Sequence, residues 1–220
     1  MRRDPQKTVS RPLAFLSDVH GNLVALNAVL AELSRRAVTD IFVAGDLVHG
    51  GDAPTEVWRR LQEIGARCTR GASDTALATI PPQRLKPTDT EQRAKAELFA
   101  RTRRDLGDLV AAQLGRLPLQ LRIPIMDGSE ILMVHGSPRD PLEGIGHEMD
   151  DDEVSALLND DPADVIVVGA THVPFRRAIG NVHVINVGSV GEAPEGRCAH
   201  FTVVSPKYGG ALIEQAWIDY

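Results

Sequence analysis

Five short polar segments of this chain set a histidine or an aspartate beside glycine. They are SDVHG at 17–21, GDLVHGG at 45–51, GASD at 71–74, VHGSP at 134–138 and GATH at 169–172, and apolar strand-like runs lead into all but one of them. A chain built this way has few folds open to it. Its strands must lie side by side so that their polar ends converge, and the ends of strands are where α/β proteins place their sites. Asp18 and His20 stand two apart, so extended backbone turns both side chains to one face. Gly21 leaves room there for close backbone approach. Asp46 follows the second apolar run, His135 the run at 131–134 and His172 the run at 165–168. Carboxylate and imidazole together suit Mn, Fe, Zn or Ni better than Ca.

The intervening segments predict alternating strands and helices. Leu13 to Leu16 is a short strand. Leu23, Leu26, Val29, Leu30 and Leu33 recur at helical spacing, with Asn22 placed as an N-cap. Ile41 to Ala44 is a second buried strand. Val57, Trp58, Leu61 and Ile64 mark a second helix, with Pro54 near its start. The prolines of IPPQRLKP break the rhythm, so 79–93 reads as loop. About 91 to 117 reads as one or two helices ended by Pro118. The second half is richer in strands: a hairpin around Asp127-Gly128 delivering His135, strands at 165–168 and 182–187, and a last hairpin turning at 206–210. A helix with an acidic first turn falls near 151–159. Two packed sheets with outer helices fit this pattern better than a single doubly wound sheet.

Composition bounds the function. At 220 residues with 43% hydrophobic content the chain is long enough for one domain with a sizeable core. No apolar run approaches the ~20 residues that span a bilayer. The basic N-terminus precedes only a handful of apolar residues, too few for a signal peptide, so the expected location is the cytoplasm. A net charge of −6 argues against nucleic acid as partner. Arg101, Arg103, Arg104 and Lys95 are mixed with acids and read as a solvated helix face. Cys68 and Cys198 are far apart, match no zinc spacing and read as buried thiols. His147, His183 and His200 read as structural or surface residues, and His49 as a loop histidine near the cleft.

The motifs resemble those of the calcineurin-like metallophosphoesterases, in particular the small bacterial phosphatase/phosphodiesterase branch. The resemblance is carried by SDVHGN at 17–22, GDLV at 45–48, RGxxD at 70–74, VHGSPRDPL at 134–142, GxTHVPF at 169–175 and NVGSVG at 186–191. It implies a four-layer α/β/β/α sandwich, one domain over 1–220 with a helical insertion at about 79–118. It also implies a two-metal site in which Asp18, His20 and His172 hold the first ion, Asp46 bridges and His135 serves the second. Asp46, Asp74 and His135 are the residues it assigns to catalysis, Asp74 by orienting its loop or His135. The implied cofactor is a divalent transition metal, Mn before Fe, Zn or Ni.

At two positions the chain departs from the family pattern. Ala72 stands where the family usually has Asn, and Ala170 where it usually has His; both are normally ligands of the second metal. Ser73 replaces a histidine that many members keep. The expectation is one tight metal site and a weak or absent second one. The implied activity is hydrolysis of a small phosphorylated substrate, a phosphomonoester or phosphodiester, by metal-activated water. The alternative is a weakened or inactive member that binds a nucleotide or other phosphorylated ligand. The glycine-serine loop at Asn186, Gly188, Ser189 and Gly191 is either a phosphate-binding nest or a tight turn. Arg70, Arg139 and Arg176 are either anion contacts or surface cations.

Overall fold

The computed structural model of the chain describes residues 9–126 and 128–220. The basic segment ahead of Val9, and Asp127 of the predicted hairpin turn, lie outside the described residues. In chain order the elements are β1 (Leu13–Leu16), α1 (Leu23–Arg35), β2 (Asp40–Ala44), α2 (Pro54–Glu63), β3 (Arg67–Thr69), α3 (Ala72–Thr79), α4 (Thr90–Arg116), β4 (Gln120–Pro124), β5 (Glu130–Val134), α5 (Asp151–Leu158), β6 (Val165–Val168), β7 (Phe175–Ile179), β8 (Val182–Asn186), β9 (Cys198–Lys207) and β10 (Gly210–Asp219). They form two five-stranded sheets, ordered β10-β9-β1-β2-β3 and β4-β5-β6-β8-β7. No helix among the described residues is long and apolar enough to cross a membrane.

Strand alternation builds the layers. Leu13 and Phe15 of β1, with Phe42 and Ala44 of β2, face Ile131, Met133, Val165, Val167 and Ile185 of the other sheet. Ala14 and Leu16 point the opposite way, into the apolar stripe of α1 formed by Leu26, Val29, Leu30 and Leu33. On the far side, Leu132, Val134, Ile166 and Val168 pack against Val154, Leu157 and Leu158 of α5. The result is the expected α/β/β/α sandwich. Full burial of each such Leu or Val contributes about 1.5–3 kcal/mol.

The helix boundaries follow local chemistry. Asn22 caps α1 by accepting from the Ala25 N–H at 3.0 Å, and Pro54 opens α2. The segment expected as one or two helices is two, merged across a break at Gly107, whose φ of 69° is left-handed. The loop expected at 79–93 is shorter, because α3 runs to Thr79 and α4 already starts at Thr90, and it holds one 3-10 turn, Pro82–Arg84. Three elements went unanticipated. β3 is three residues long, below any periodicity. α3 starts at Gly71 without a side-chain cap and has almost no amphipathic contrast. β7 lies at a sheet edge with a weakly alternating sequence.

Within each sheet the strands that lead into the polar segments are parallel neighbours, β1 with β2 and β5 with β6. Their C-terminal ends therefore open on one side of the sandwich. Ala44 ties the two sheets together there. Its carbonyl accepts from Ser17 Oγ at 3.0 Å and from His135 Nδ1 at 2.7 Å.

Candidate metal centre

Asp18, His20, Asp46, His135 and His172 converge at these strand ends. Two groups have the proximity a metal site needs: Asp18 with His20 and His172, and Asp18 with Asp46 and His135. Asp18 is thus common to both groups. Asp46 Oδ2 also stands between them, 3.6 Å from His135 Nε2 and 3.9 Å from His20 Nε2.

All three imidazoles are oriented the same way. Nδ1 of His20 donates to the His49 carbonyl at 2.6 Å, Nδ1 of His172 to the Glu192 carbonyl at 3.0 Å, and Nδ1 of His135 to the Ala44 carbonyl. A carbonyl only accepts, so each Nδ1 carries the proton and each Nε2 turns a lone pair inward. His20 Nε2 and His172 Nε2 come within 3.2 Å of each other. Asp18 Oδ1 lies 3.2 Å from His172 Nε2 and 3.6 Å from His20 Nε2. That oxygen is buried without a hydrogen-bond partner. A cluster made only of lone pairs repels itself unless a cation sits among them. The donor set fits a transition metal, and in its absence a proton.

The titration shifts have the same origin. Burial would raise Asp18, but the adjacent His172 and His20 imidazoles outweigh it and hold the carboxyl well below its ordinary range. Burial would lower His20, but Asp18, Glu192 and Asp46 raise it to about 9. His172 is raised as well, chiefly by the Asp18 carboxylate beside it.

Backbone strain concentrates here. Asp18, His20, Asp46, Ala170 and His172 all have positive φ, between 49° and 67°. Non-glycine residues rarely take this conformation, and when they do it clusters at functional sites. Gly71 is required by close approach. A Cβ there would lie 2.2 Å from Asp46 Oδ1 and 2.4 Å from the Asp46 backbone nitrogen. Gly71→Ala must therefore displace the Asp46 turn. We expect a loss of about 3 kcal/mol or more in stability together with loss of metal retention, read by denaturant titration and elemental analysis.

Asp74 is fully buried. Its oxygens accept the N–H groups of Leu47, at 3.1 Å, and Gly71, at 3.0 Å. Burial, reinforced by the Asp46 charge, raises its pKa to about 6. Both of its hydrogen bonds go to backbone beside Asp46 and at the start of α3, and Asp74 makes none to His135. It locks the Asp46 turn to the start of α3, where the Ser73 N–H donates to Asp46 Oδ1 at 2.8 Å.

Other residues separate cleanly. His49 serves through its carbonyl, while its ring packs edge-on against Phe99 of α4. In the glycine-serine loop, Gly188, Val190, Gly191 and Glu192 donate their N–H groups to Asn186, Ser17, Asp18 and Ser189. Those N–H groups are committed within the protein, so the loop fastens the end of β1 and is not a phosphate nest. Arg70 donates to the Gly115 carbonyl at 2.5 Å, while Arg139 and Arg176 are exposed. Glu192 was not foreseen. Its carbonyl orients His172, and its carboxylate lies 3.8 Å from His20 Nε2.

Ala72 and Ala170 offer the centre no donor side chain. The Ala170 N–H donates to Asp18 Oδ2 at 3.1 Å, and Ala72 opens α3 next to Gly71.

Residues 12–208 match the family model of the calcineurin-like phosphoesterase superfamily domain. An uncharacterised protein of Methanocaldococcus jannaschii is 28% identical over 203 residues, 86% of this chain and 79% of its own length. Among solved structures, a hypothetical protein of Pyrococcus horikoshii OT3 superposes with a TM-score of 0.82 at 22% identity, over 95% of this chain and 88% of its own. A metallophosphoesterase from Sphaerobacter thermophilus superposes with a TM-score of 0.71 at 25% identity, over 93% of this chain and 88% of its own.

Proposed function

The chain belongs to the calcineurin-like phosphoesterase superfamily, and from that premise we propose that it is a metal-dependent hydrolase of small phosphate esters. The observation that carries this reading is the inward convergence of three imidazole Nε2 atoms and two carboxylates. Asp18, His20, Asp46 and His172 hold one divalent transition metal, with Mn the first choice for a mixed carboxylate–imidazole set. His135 stands on the far side of Asp46, where a second ion would find those two side chains and would share Asp18 with the first. The whole chain acts as one domain, with residues 79–118 as its helical insertion.

When bound, the metal supplies an acidified water and a positive charge against the phosphoryl oxygens. The chain's own residues do the rest. The carbonyls of Ala44, His49 and Glu192 fix the imidazole tautomers. The Ser73 N–H holds Asp46 Oδ1, leaving Oδ2 for the site. Asp74 keeps that turn in register as a positioning residue.

The test is turnover of a chromogenic aryl phosphate or bis-aryl phosphate by metal-reconstituted protein, with His172→Ala as control. No turnover above the control ends the hydrolase reading. Ala72 and Ala170 favour one rival, a member that binds a phosphorylated ligand without cleaving it. Saturable phosphate or nucleotide binding without hydrolysis identifies that rival.

Proton and metal compete for the same lone pairs. His20 titrates near 9 in the metal-free protein, so metal uptake below that pH releases its proton. Apparent affinity should therefore weaken as pH falls, by about tenfold, or 1.4 kcal/mol, per pH unit for each proton released. Calorimetry in buffers of different ionisation enthalpy counts those protons. The metal-free fold has the opposite trend. Because the folded pKa of His20 is above the ordinary value, its stabilisation is fully present below about pH 6.5 and is lost as pH rises through about 9.

A further inference from the structure

We propose that Glu195, Cys198 and His200 form a separate metal centre that binds a zinc-like ion through one carboxylate, one thiolate and one imidazole. In β9, Cys198 and His200 are two residues apart, so strand geometry sets their side chains on one face. Just before the strand the chain doubles back at Gly196, whose φ is 100°. The Cys198 N–H donates to the Gly196 carbonyl and the Gly196 N–H to the Ala193 carbonyl. This turn swings Glu195 over the same face.

The distances fit one ion. Cys198 Sγ lies 3.6 Å from His200 Nε2, and Glu195 Oε2 lies 3.6 Å from the same nitrogen. Around a tetrahedral zinc, with bonds of about 2.3 Å to sulfur and about 2.0–2.1 Å to nitrogen and oxygen, those edges are about 3.6 Å and about 3.4 Å. Those two edges match the observed distances to within about 0.2 Å, and the sulfur and carboxylate lie within 4.8 Å of each other. His200 Nδ1 is buried without a partner and faces the backbone of Gly188, so Nε2 is the ring nitrogen that faces the other two ligands. Cys198 and His200 are both buried, while Glu195 is half exposed. The three residues line a cavity of about 580 Å³ bordered by Pro174, Trp217 and Tyr220. Three protein ligands with a fourth position open to a cavity is the arrangement of open zinc sites, and a thiolate ligand selects zinc over the harder ions suited to the first centre.

The site is tied to the first centre by one loop. The Ser189 carbonyl accepts from the His200 N–H, Ser189 Oγ donates to the Asp18 carbonyl, and Glu192 orients His172. An ion on Glu195 and His200 fastens the far end of that loop.

The test is cobalt substitution. The full chain is stripped of metal by chelation, kept in a non-thiol reductant and titrated with Co²⁺. The expected result is a thiolate-to-cobalt absorption in the near ultraviolet with the amplitude of one cobalt–thiolate bond per chain, erased by added Zn²⁺. It should vanish in Cys198→Ser and persist in Cys68→Ser. It should also persist in His172→Ala, which separates this centre from the phosphoesterase site. Glu195→Gln, at an exposed side chain that folding does not need, should weaken Zn²⁺ binding by about tenfold or more. Circular dichroism of each variant checks its fold. Absence of the band in the folded wild-type chain, its survival in Cys198→Ser, or unchanged zinc affinity in Glu195→Gln overturns the proposal.

Discussion

Asp18→Asn should abolish metal retention and lower turnover by about 10³-fold or more, while the metal-free protein stays folded. The two effects separate because the carboxylate's oxygens have different tasks. Oδ2 accepts the Ala170 N–H, which the amide oxygen of Asn reproduces. Oδ1 is buried without a partner and faces the lone pairs of His172 and His20. An amide NH₂ in that place donates to those lone pairs and fills the space a cation needs. The backbone does not object, because φ at Asp18 is 54° and Asn tolerates the left-handed region as well as Asp does. Removing one charge from a buried cluster costs about 3–5 kcal/mol of its interaction with a cation, about 10³-fold in affinity. Elemental analysis, aryl phosphate turnover and a thermal melt of the chelated protein are the three readouts. Wild-type metal content in the variant would remove Asp18 from the site.

Asp18, His20, Asp46, His135 and His172 were legible because each follows an apolar run inside a short glycine-containing segment. That combination reports both where a strand stops and where the backbone must turn sharply. Ala44 was legible only as the end of a strand. Its carbonyl becomes a hub for Ser17 and His135 through pairing between sheets, which no local pattern encodes. Glu192 was invisible for a related reason, since its first contribution is a backbone carbonyl to His172. The glycine-serine loop at 186–191 suited a nest and a turn equally well. The partners of its N–H groups settled the matter, and they come from β1 and its own side chains. α3 escaped notice because its boundary is set by Asp74 reaching back to the Gly71 N–H. Its burial against α4 is tertiary and leaves no stripe in ASDTALAT. Cys198 and His200 were read separately, one as a thiol and one as a strand histidine. Only the turn at Gly196 brings Glu195 to them.

Ala72→Asn combined with Ala170→His should add a second equivalent of bound metal and raise turnover by about 10²-fold. The side of the centre that holds Asp46 Oδ2 and His135 Nε2 already exists, with these atoms 3.6 Å apart. It lacks donors from the two positions where alanine stands. The backbone at both is already in place: the Ala170 N–H is fixed on Asp18 Oδ2, and the Ser73 N–H, one residue beyond Ala72, is fixed on Asp46 Oδ1. Ala170 holds a φ of 67°, a region that costs alanine about 1–2 kcal/mol and in which histidine is enriched. Installing histidine there should cost the backbone nothing extra. Gly144 packs close to the Ala170 methyl, since a methyl group added to Gly144 would lie only 3.2 Å from it, so the imidazole must extend away from Gly144. With two further protein ligands, a second ion would be held beside the first and would supply additional positive charge to the reacting phosphoryl group. One preorganised electrostatic contact of that kind is worth about 10²–10³-fold in rate. Each single substitution supplies one ligand and should give partial occupancy and a smaller gain. Metal stoichiometry by elemental analysis and kcat on an aryl phosphate decide the matter. A double variant that binds one equivalent and turns over like the wild type would show that the alanines are not what limits this centre.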